Sequence, residues 1–153
     1  MKRFEFTLGR IRDYKNSILD KEKNVLSGLR MEKNNIETRL DKLEKMFEEV
    51  NTEMHKEFET GMTVSKVKLY EYRKNGIREE KRLLGDRMDF LDASIERQMK
   101  RVQNLKQEVS GYDKLEEKQR EEYNKAAEKE QNDIIAEFVS QKITRELNEQ
   151  KVV

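Results

Sequence analysis

The segment ETGMTVS, residues 59–65, separates two long helix-forming halves of the sequence. Gly61 suits the position just after a helix C-terminus, because glycine adopts the left-handed conformation needed there at little cost. Thr63 or Ser65 suits the cap that precedes the next helix. Because a short connection between two long amphipathic helices makes them antiparallel neighbours, the segment predicts a reversal of the chain.

The half that follows this segment carries an apolar seam with a heptad repeat. Alternate steps of three and four residues lead from Val67 to Tyr112, and 11 of the 14 positions visited are apolar. The overall apolar share of 34% would supply about five. The exceptions are Lys74, Lys81 and Gln98. Such a seam needs a partner helix to cover it.

The half that precedes the segment carries a matching seam. Six successive core positions are apolar without exception: Ile36, Leu40, Leu43, Phe47, Val50 and Met54. Farther upstream the track continues through Phe4, Leu8, Ile11, Lys15, Ile18, Glu22, Val25 and Leu29. From Val25 two steps of four are adjacent, through Leu29 to Lys33. That spacing predicts a stutter, which locally unwinds a supercoil.

Together these patterns predict an all-α fold, an antiparallel two-helix coiled-coil hairpin that forms a single domain over residues 1–153. We expect helices at about residues 4–60 and 66–148, with the tip at about 61–65. The pair Asn75-Gly76 disfavours a continuous helix. A break in the second helix, with a short extra helix near the tip, is therefore an alternative.

Folding back about this tip pairs residue i with about residue 125 minus i. The last 25 or so residues then extend past the first helix. For that stretch two alternatives stand: a lone helix that docks on something else, or a frayed tail.

The composition is typical of long helices and excludes several classes of protein. Charged residues make up 42% of the chain, which has no Pro, Cys or Trp and a formal net charge of +1. A chain without cysteine has neither a disulfide scaffold nor a cysteine metal site. Because apolar runs are short, we expect no direct membrane insertion and no secretory signal. We expect an intracellular, elongated helical protein.

The chemistry-bearing residues do not predict an enzyme. His55 is the only histidine, so paired-histidine acid–base chemistry and multi-histidine metal sites are excluded. The sequence has no phosphate-binding G-x-x-x-x-G-K-[ST] loop. Its densest basic stretches, residues 78–82 and 97–101, are interrupted by acidic or uncharged residues, unlike a DNA-binding basic helix. We expect no catalytic residues, no cofactor, no metal and no nucleic acid partner.

A second apolar stripe lies beside the seam of the second helix. Leu69, Leu83 and Phe90 immediately precede core residues, and Gly76 occupies the equivalent position between them. Met46 and Tyr72 add apolar bulk near the tip. One interpretation is a wide seam, or a small helix packed back at the tip. The other is a partner-binding patch, since contiguous exposed apolar area marks interaction sites.

Three segments make the sequence resemble the flagellar export protein FliJ family. The start FEFTL at residues 4–8, followed by Ile11 and Lys15, resembles the family's start. The tip GMTV at residues 61–64, with Tyr70 nine residues after Gly61, is the most specific piece. The stretch YDKLEEKQ at residues 112–119 continues the resemblance to Phe138, so that it covers nearly the whole chain.

The resemblance implies a non-catalytic coiled-coil stalk of the bacterial flagellar type III export apparatus. The implied partners are the export ATPase and its regulator, the export gate membrane protein and the export chaperones. The implied location is cytoplasmic, with peripheral association at the cytoplasmic face of the inner membrane through the apparatus.

The resemblance also implies two partner-binding surfaces. The surface on the export gate side, near the tip, includes the residues matched to the family together with the apolar stripe: Leu43, Met46, Val50, Leu69, Tyr70, Tyr72, Ile77, Leu83, Leu84 and Phe90. The surface on the ATPase side, at the terminal ends, includes Phe4, Leu8, Ile11, Tyr123, Ile134 and Phe138.

Two alternative functions remain open at this point. One is the equivalent stalk of a non-flagellar type III secretion system. The other is a generic homodimerising coiled-coil scaffold. An intramolecular hairpin separates both stalks from the scaffold, because the scaffold pairs its helices between chains.

Overall fold

The computed structural model describes residues 1–152 and contains two helices. Helix α1 spans Gly9–Thr60, and helix α2 spans Val64–Val152. The two helices pack against each other within the chain, and residues 1–152 contain no strand. The all-α helical hairpin predicted from the seams is therefore confirmed. α2 continues through Asn75-Gly76 without a break, so the short extra helix near the tip is not formed.

The reversal uses the residues that the sequence pattern singles out. Gly61 has φ of 97°, the left-handed conformation in which an L side chain is strained. Its amide donates to the carbonyl of Phe58 at 3.3 Å. The Thr63 hydroxyl accepts a hydrogen bond from the Lys66 amide at 3.3 Å, which makes Thr63 the N-cap of α2.

The chain divides into two compact units. Unit 1 consists of residues 1–17 together with α2 from Lys106 onward, and unit 2 consists of residues 18–105. The single-domain organisation stays a prediction.

Unit 2 is held together by the predicted seam. Leu43 and Leu91 have no exposed surface, and the cluster around Leu43 includes Val50, Tyr70 and Ile77. Fully burying a leucine side chain stabilises the fold by about 1.5–3 kcal/mol, so Leu43 and Leu91 each make a contribution of that order.

The upstream part of the seam in unit 2 differs from the predicted track. The buried residues are Leu19 and Leu26, at 6% and 8% exposure, while Val25 is 49% exposed. With Leu19 and Leu26 in the core, alternate steps of four and three run from residue 19 to residue 54, so the predicted stutter is wrong. The reason is that an unbroken 3.5-residue period keeps the seam facing α2.

Unit 1 begins with a non-helical strap, residues 1–8, that lies along α2. The helix starts at Gly9 and not near residue 4 as the pattern predicts. A turn ends the strap, where the Gly9 amide donates to the Phe6 carbonyl at 3.1 Å. The Phe4 ring packs on Tyr123, with ring centroids 5.5 Å apart, and this contact replaces a first helical turn.

Candidate partner-binding surfaces

In unit 2 the second apolar stripe lies on the protein surface. We call Leu69, Tyr72, Leu83 and Phe90 the tip stripe; their side chains are 55–78% exposed. Gly76 lies between them, and a Cβ atom placed on it would meet no atom within 4 Å. No helix of the described residues packs over the stripe, so the wide-seam and small-helix interpretations are wrong.

A ladder of ion pairs links α1 to α2 in unit 2. The Arg39 guanidinium donates two hydrogen bonds to the Glu80 carboxylate, at 2.8 and 3.1 Å. That hydrogen bonding lowers the pKa of Glu80 and raises the pKa of Arg39. Arg87 pairs with Glu32 at 2.7 Å. The Arg87 guanidinium also lies 5.0 Å from the centroid of the Phe90 ring, a favourable cation–π contact with that exposed aromatic side chain.

Arg73 lies at the tip end of this ladder, between a carboxylate and an aromatic ring. Its guanidinium lies 3.4 Å from the Glu53 carboxylate and 5.8 Å from the Tyr70 ring centroid. The Tyr70 side chain is buried, and burial first, followed by the Glu57 carboxylate, raises the pKa of its hydroxyl. Tyr70 therefore anchors the tip as a neutral phenol.

A groove lies along the ladder of ion pairs and is lined partly by ladder residues. Its floor consists of Met46, Val50, Gly76 and Ile77. Met46 is 36% exposed, whereas Val50 and Ile77 belong to the buried core. The missing side chain at Gly76 leaves this floor open, so an apolar side chain from outside can reach it beside the tip stripe.

Phe47 is surrounded by cations from α2. The charged groups of Lys74, Arg78 and Lys81 lie 5.4, 5.3 and 5.9 Å from its ring centroid. Lys74 and Lys81 are the two lysines at predicted core positions of α2, and the aromatic face provides them with a favourable electrostatic partner. This cluster explains how two charges are accommodated in the seam.

In unit 1 the strap is fastened to α2 by polar and aromatic contacts. The Tyr123 hydroxyl donates to the carbonyl of Lys2 at 2.5 Å, and the Arg120 guanidinium lies 4.7 Å from the Phe4 ring centroid. Arg12 lies 5.4 Å from the Phe6 ring centroid and hydrogen bonds to Glu116. That hydrogen bond lowers the pKa of Glu116 and raises the pKa of Arg12.

The strap contacts also correct the predicted seam of α2 in unit 1. Leu115, which we expect to continue a weaker seam after Tyr112, is 36% exposed, whereas Glu116 is half-buried. Ile11 of α1 is likewise 45% exposed. The Arg12–Glu116 pair occupies the place between the helices that these apolar residues were expected to fill.

Beyond the strap, α2 has an exposed apolar face. We call it the C-terminal face; its side chains are 47–68% exposed, and its members are Ile134, Ile135, Phe138, Val139, Ile143 and Leu147. The helix runs through this region without a break to Val152, as the lone-helix alternative predicts. Every residue from 128 to 152 is exposed.

The predicted gate-side residues fall into two groups. Leu43, Val50, Tyr70 and Ile77 are buried in the core of unit 2, and Leu84 is half-buried. Met46 and the tip stripe face solvent. On the ATPase side, Phe4, Leu8 and Tyr123 are half-buried in unit 1, whereas Ile11, Ile134 and Phe138 are exposed.

The sequence patterns considered above did not predict the ion-pair ladder or the strap. The ion-pair ladder had a readable signal, because Glu32, Arg39 and Glu53 recur at multiples of seven residues in one helix, and Arg73, Glu80 and Arg87 recur in the other. The strap had no such signal, since its contacts depend on Tyr123 and Arg120, more than 100 residues away.

The described residues contain no group of three or more His, Cys, Asp or Glu side chains arranged to hold a metal ion. In the same part of the chain, no helix has the length and apolar character required to cross a bilayer.

Comparison with known families identifies one match. The model of the family described as Flagellar FliJ protein matches residues 4–148. The comparison with curated proteins returned no match, and neither did the comparison with solved structures. The family match covers most of both units and leaves out residues 1–3 of the strap and the final residues of α2.

Proposed function

This chain belongs to the FliJ family and is a component of the flagellar export apparatus, and we propose that it works there as a non-catalytic coiled-coil stalk. In this proposal the surfaces of unit 1 engage the export ATPase ring and its regulator. The tip stripe of unit 2 binds the export gate, and the stalk assists the cycling of export chaperones. Binding to the gate places the protein at the cytoplasmic face of the inner membrane.

The observation that carries the proposal is the exposure of the tip stripe. The hairpin already buries its seam within one chain, so Leu69, Tyr72, Leu83 and Phe90 contribute little to its folding. Exposed apolar anchors of this kind dock into a groove on a partner. The packing of α1 on α2 within the chain also distinguishes this fold from a homodimeric scaffold, which pairs its helices between chains.

The differences in burial support different roles for the residues on the gate side. Leu43, Val50, Tyr70 and Ile77 have too little exposed surface to touch a partner, so they hold the two helices in place. Direct contact belongs to Met46 and the tip stripe. On the ATPase side, Phe4 and Tyr123 hold the strap, and Ile11, Ile134 and Phe138 supply the free apolar surface.

The gate contact is tested with Leu83→Asp combined with Phe90→Asp. We expect the double variant to keep the helicity of the wild type by circular dichroism, because both side chains are more than half exposed. We expect it to lose capture of the cytoplasmic part of the export gate in a pull-down with purified proteins.

The matched control is Asn75→Asp with Ala93→Asp, which adds two negative charges at exposed positions of α2 outside the tip stripe. It should capture the gate as the wild type does. Equal capture by the stripe variant and the wild type would overturn the assignment of this face to the gate.

The ATPase contact is tested by adding the chain to the cognate export ATPase and measuring ring assembly and ATP turnover. We expect stimulation by the wild type and by the stripe variant, and little stimulation by Ile11→Asp with Phe138→Asp. If the wild type changes neither assembly nor turnover, the stalk role is wrong.

A further inference from the structure

No segment of the described chain covers the C-terminal face. In unit 1 the strap reaches only as far as Glu130, whose carboxylate lies 3.9 Å from the Met1 amino group. Past that point the face presents six apolar side chains, each at least 47% exposed. Within the described residues 131–152, the charged side chains beside the face form no ion pair. An exposed apolar face of this kind marks an interaction site, here one suited to a partner helix.

We propose that the C-terminal face binds a second copy of the same chain, in an antiparallel helix pair centred on Val139. Three of the six apolar residues are arranged symmetrically about this position, because Ile135 and Ile143 each lie four residues from Val139. When Val139 of one copy faces Val139 of the other, Ile135 of each copy faces Ile143 of its partner. A contact that uses the same patch on both copies is closed, so association stops at a dimer.

The charge distribution selects the antiparallel direction. Residues 128–137 contain four acids and one lysine, net −3, whereas residues 138–151 contain three bases and two acids, net +1. An antiparallel pair places each acid-rich part beside the base-containing part of the other copy. A parallel pair would instead place the two −3 parts together and align the helix dipoles unfavourably. Apolar burial provides the affinity, and charge sets the orientation.

The size of the face sets the strength of the pairing. The 14 residues from Ile134 to Leu147 span about 20 Å of helix. An interface of this length is smaller than the roughly 1,200 Å² that stable complexes bury, so the dimer is reversible and depends on concentration. The formation of this dimer does not depend on the proposed stalk role. Because Ile134 and Phe138 also belong to the ATPase-side surface, the second copy and the ATPase compete for the same face.

The first test is analytical ultracentrifugation of the full chain over a series of concentrations. We expect a reversible monomer–dimer equilibrium, and we expect Val139→Asp to lower the association constant at least tenfold. Asn148→Asp is the matched control, since it adds the same charge at an exposed position about 180° around the helix from Val139. It should leave the association constant unchanged. Circular dichroism establishes that both variants keep the helix.

The second test uses the absence of native cysteine, which makes introduced thiols specific. Under mild oxidation Val139→Cys should form a disulfide-linked dimer with itself, because the symmetry axis passes beside it. Ile135→Cys and Ile143→Cys should cross-link when mixed, and neither should cross-link alone.

Three results would overturn the proposal. The first is a wild-type chain that stays monomeric at every concentration. The second is a dimer that Val139→Asp and Asn148→Asp leave equally strong, which would place the contact elsewhere. The third is a set of cysteine variants that each cross-link only to themselves, which would indicate a parallel pair.

Discussion

At the scale of single residues, glycine shows how differently one residue type acts along this chain. Gly61 has φ of 97° and ends α1, so its freedom from a Cβ atom is required by the turn. Gly76 lies inside α2 with open space around it, and the helix would form better with a side chain there. Of these two positions, only residue 61 needs glycine for the chain to fold. Gly76 instead lines an exposed groove.

These two glycines provide a paired prediction. Gly61→Ala should lower the free energy of unfolding by about 1–2 kcal/mol, because alanine is strained in the left-handed region. Gly76→Ala should raise it by about 0.5–1 kcal/mol through better helix propensity. Urea unfolding followed by circular dichroism measures both. The opposite pattern, with Gly76→Ala the more damaging, would contradict the assignment of the turn to Gly61.

At the scale of the elements, a continuous seam accepts polar residues where they find partners across it. Glu22 and Gln98 occupy core positions in α1 and α2, and the Gln98 amide donates to the Glu22 carboxylate and, at 3.0 Å, to its carbonyl. Lys33 pairs with Asp92 at 2.7 Å. Polar layers of this kind fix register at a cost in stability.

The Glu22–Gln98 layer leads to a stability prediction. Glu22→Leu combined with Gln98→Leu should raise the free energy of unfolding by about 1–4 kcal/mol, since it replaces a polar layer with apolar packing. Gln98→Leu alone should lower it by about 1–3 kcal/mol, because the half-buried Glu22 carboxylate loses a donor. Chemical denaturation of the three chains measures both. A double variant less stable than the wild type would mean that the layer stabilises the fold outright.

The arginine-paired carboxylates predict the response of the helix pair to acid. Hydrogen bonds from arginine lower the pKa of Glu79, Glu80 and Glu116 from the ordinary value of 4.5. A carboxylate with a lowered pKa stabilises the folded state above its ordinary pKa, and this stabilisation is lost as the pH falls through the folded value. The free energy of unfolding should therefore decrease below about pH 4.5, by a small amount for each exposed pair.

Glu80→Gln isolates one of these contributions. It should lower stability slightly at pH 7 and flatten the loss on acidification, as measured by urea unfolding at pH 7, 4 and 3. Glu117→Gln serves as the control, because Glu117 is exposed and takes part in none of the ion pairs described. If wild type and Glu80→Gln lose stability in parallel, the Arg39–Glu80 pair makes no measurable contribution.

At the scale of the whole molecule, the chain pairs its two helices with each other. Ion-paired residues in unit 2, such as Lys33–Asp92, Arg39–Glu80 and Arg73–Glu53, have numbers that add to 119–126. The value expected from a tip centred on residues 61–64 is about 125. The register of the hairpin was therefore readable from the position of the turn alone.

Distance measurements between spin labels test this pairing. Labels on Arg39→Cys and Glu80→Cys should lie within about 20 Å, since packed helices are 8–10 Å apart. Arg39→Cys with Arg97→Cys should be roughly 25 Å farther apart along α2. Dilution with unlabelled chain should leave the short distance intact. Its disappearance on dilution would show that the helices pair between molecules.

Much of the fold was predictable because the signals are local. The C-cap at Gly61, the N-cap at Thr63 and the heptad seam each depend on residues near one another in sequence. The candidate surfaces were only partly predictable. The sequence pattern singled out the tip stripe as an anomaly, but exposure alone decided between a wide seam and a free surface.

By itself, the sequence determined that two amphipathic helices form and where the chain reverses, since capping and periodicity operate within a few residues. Tertiary structure decided which of two adjacent apolar residues enters the seam, as with Val25 and Leu26. It also decided that residues 1–8 form a strap and not a helical turn. Both outcomes depend on α2 residues far away in sequence, whose contacts outweigh a small difference in local preference.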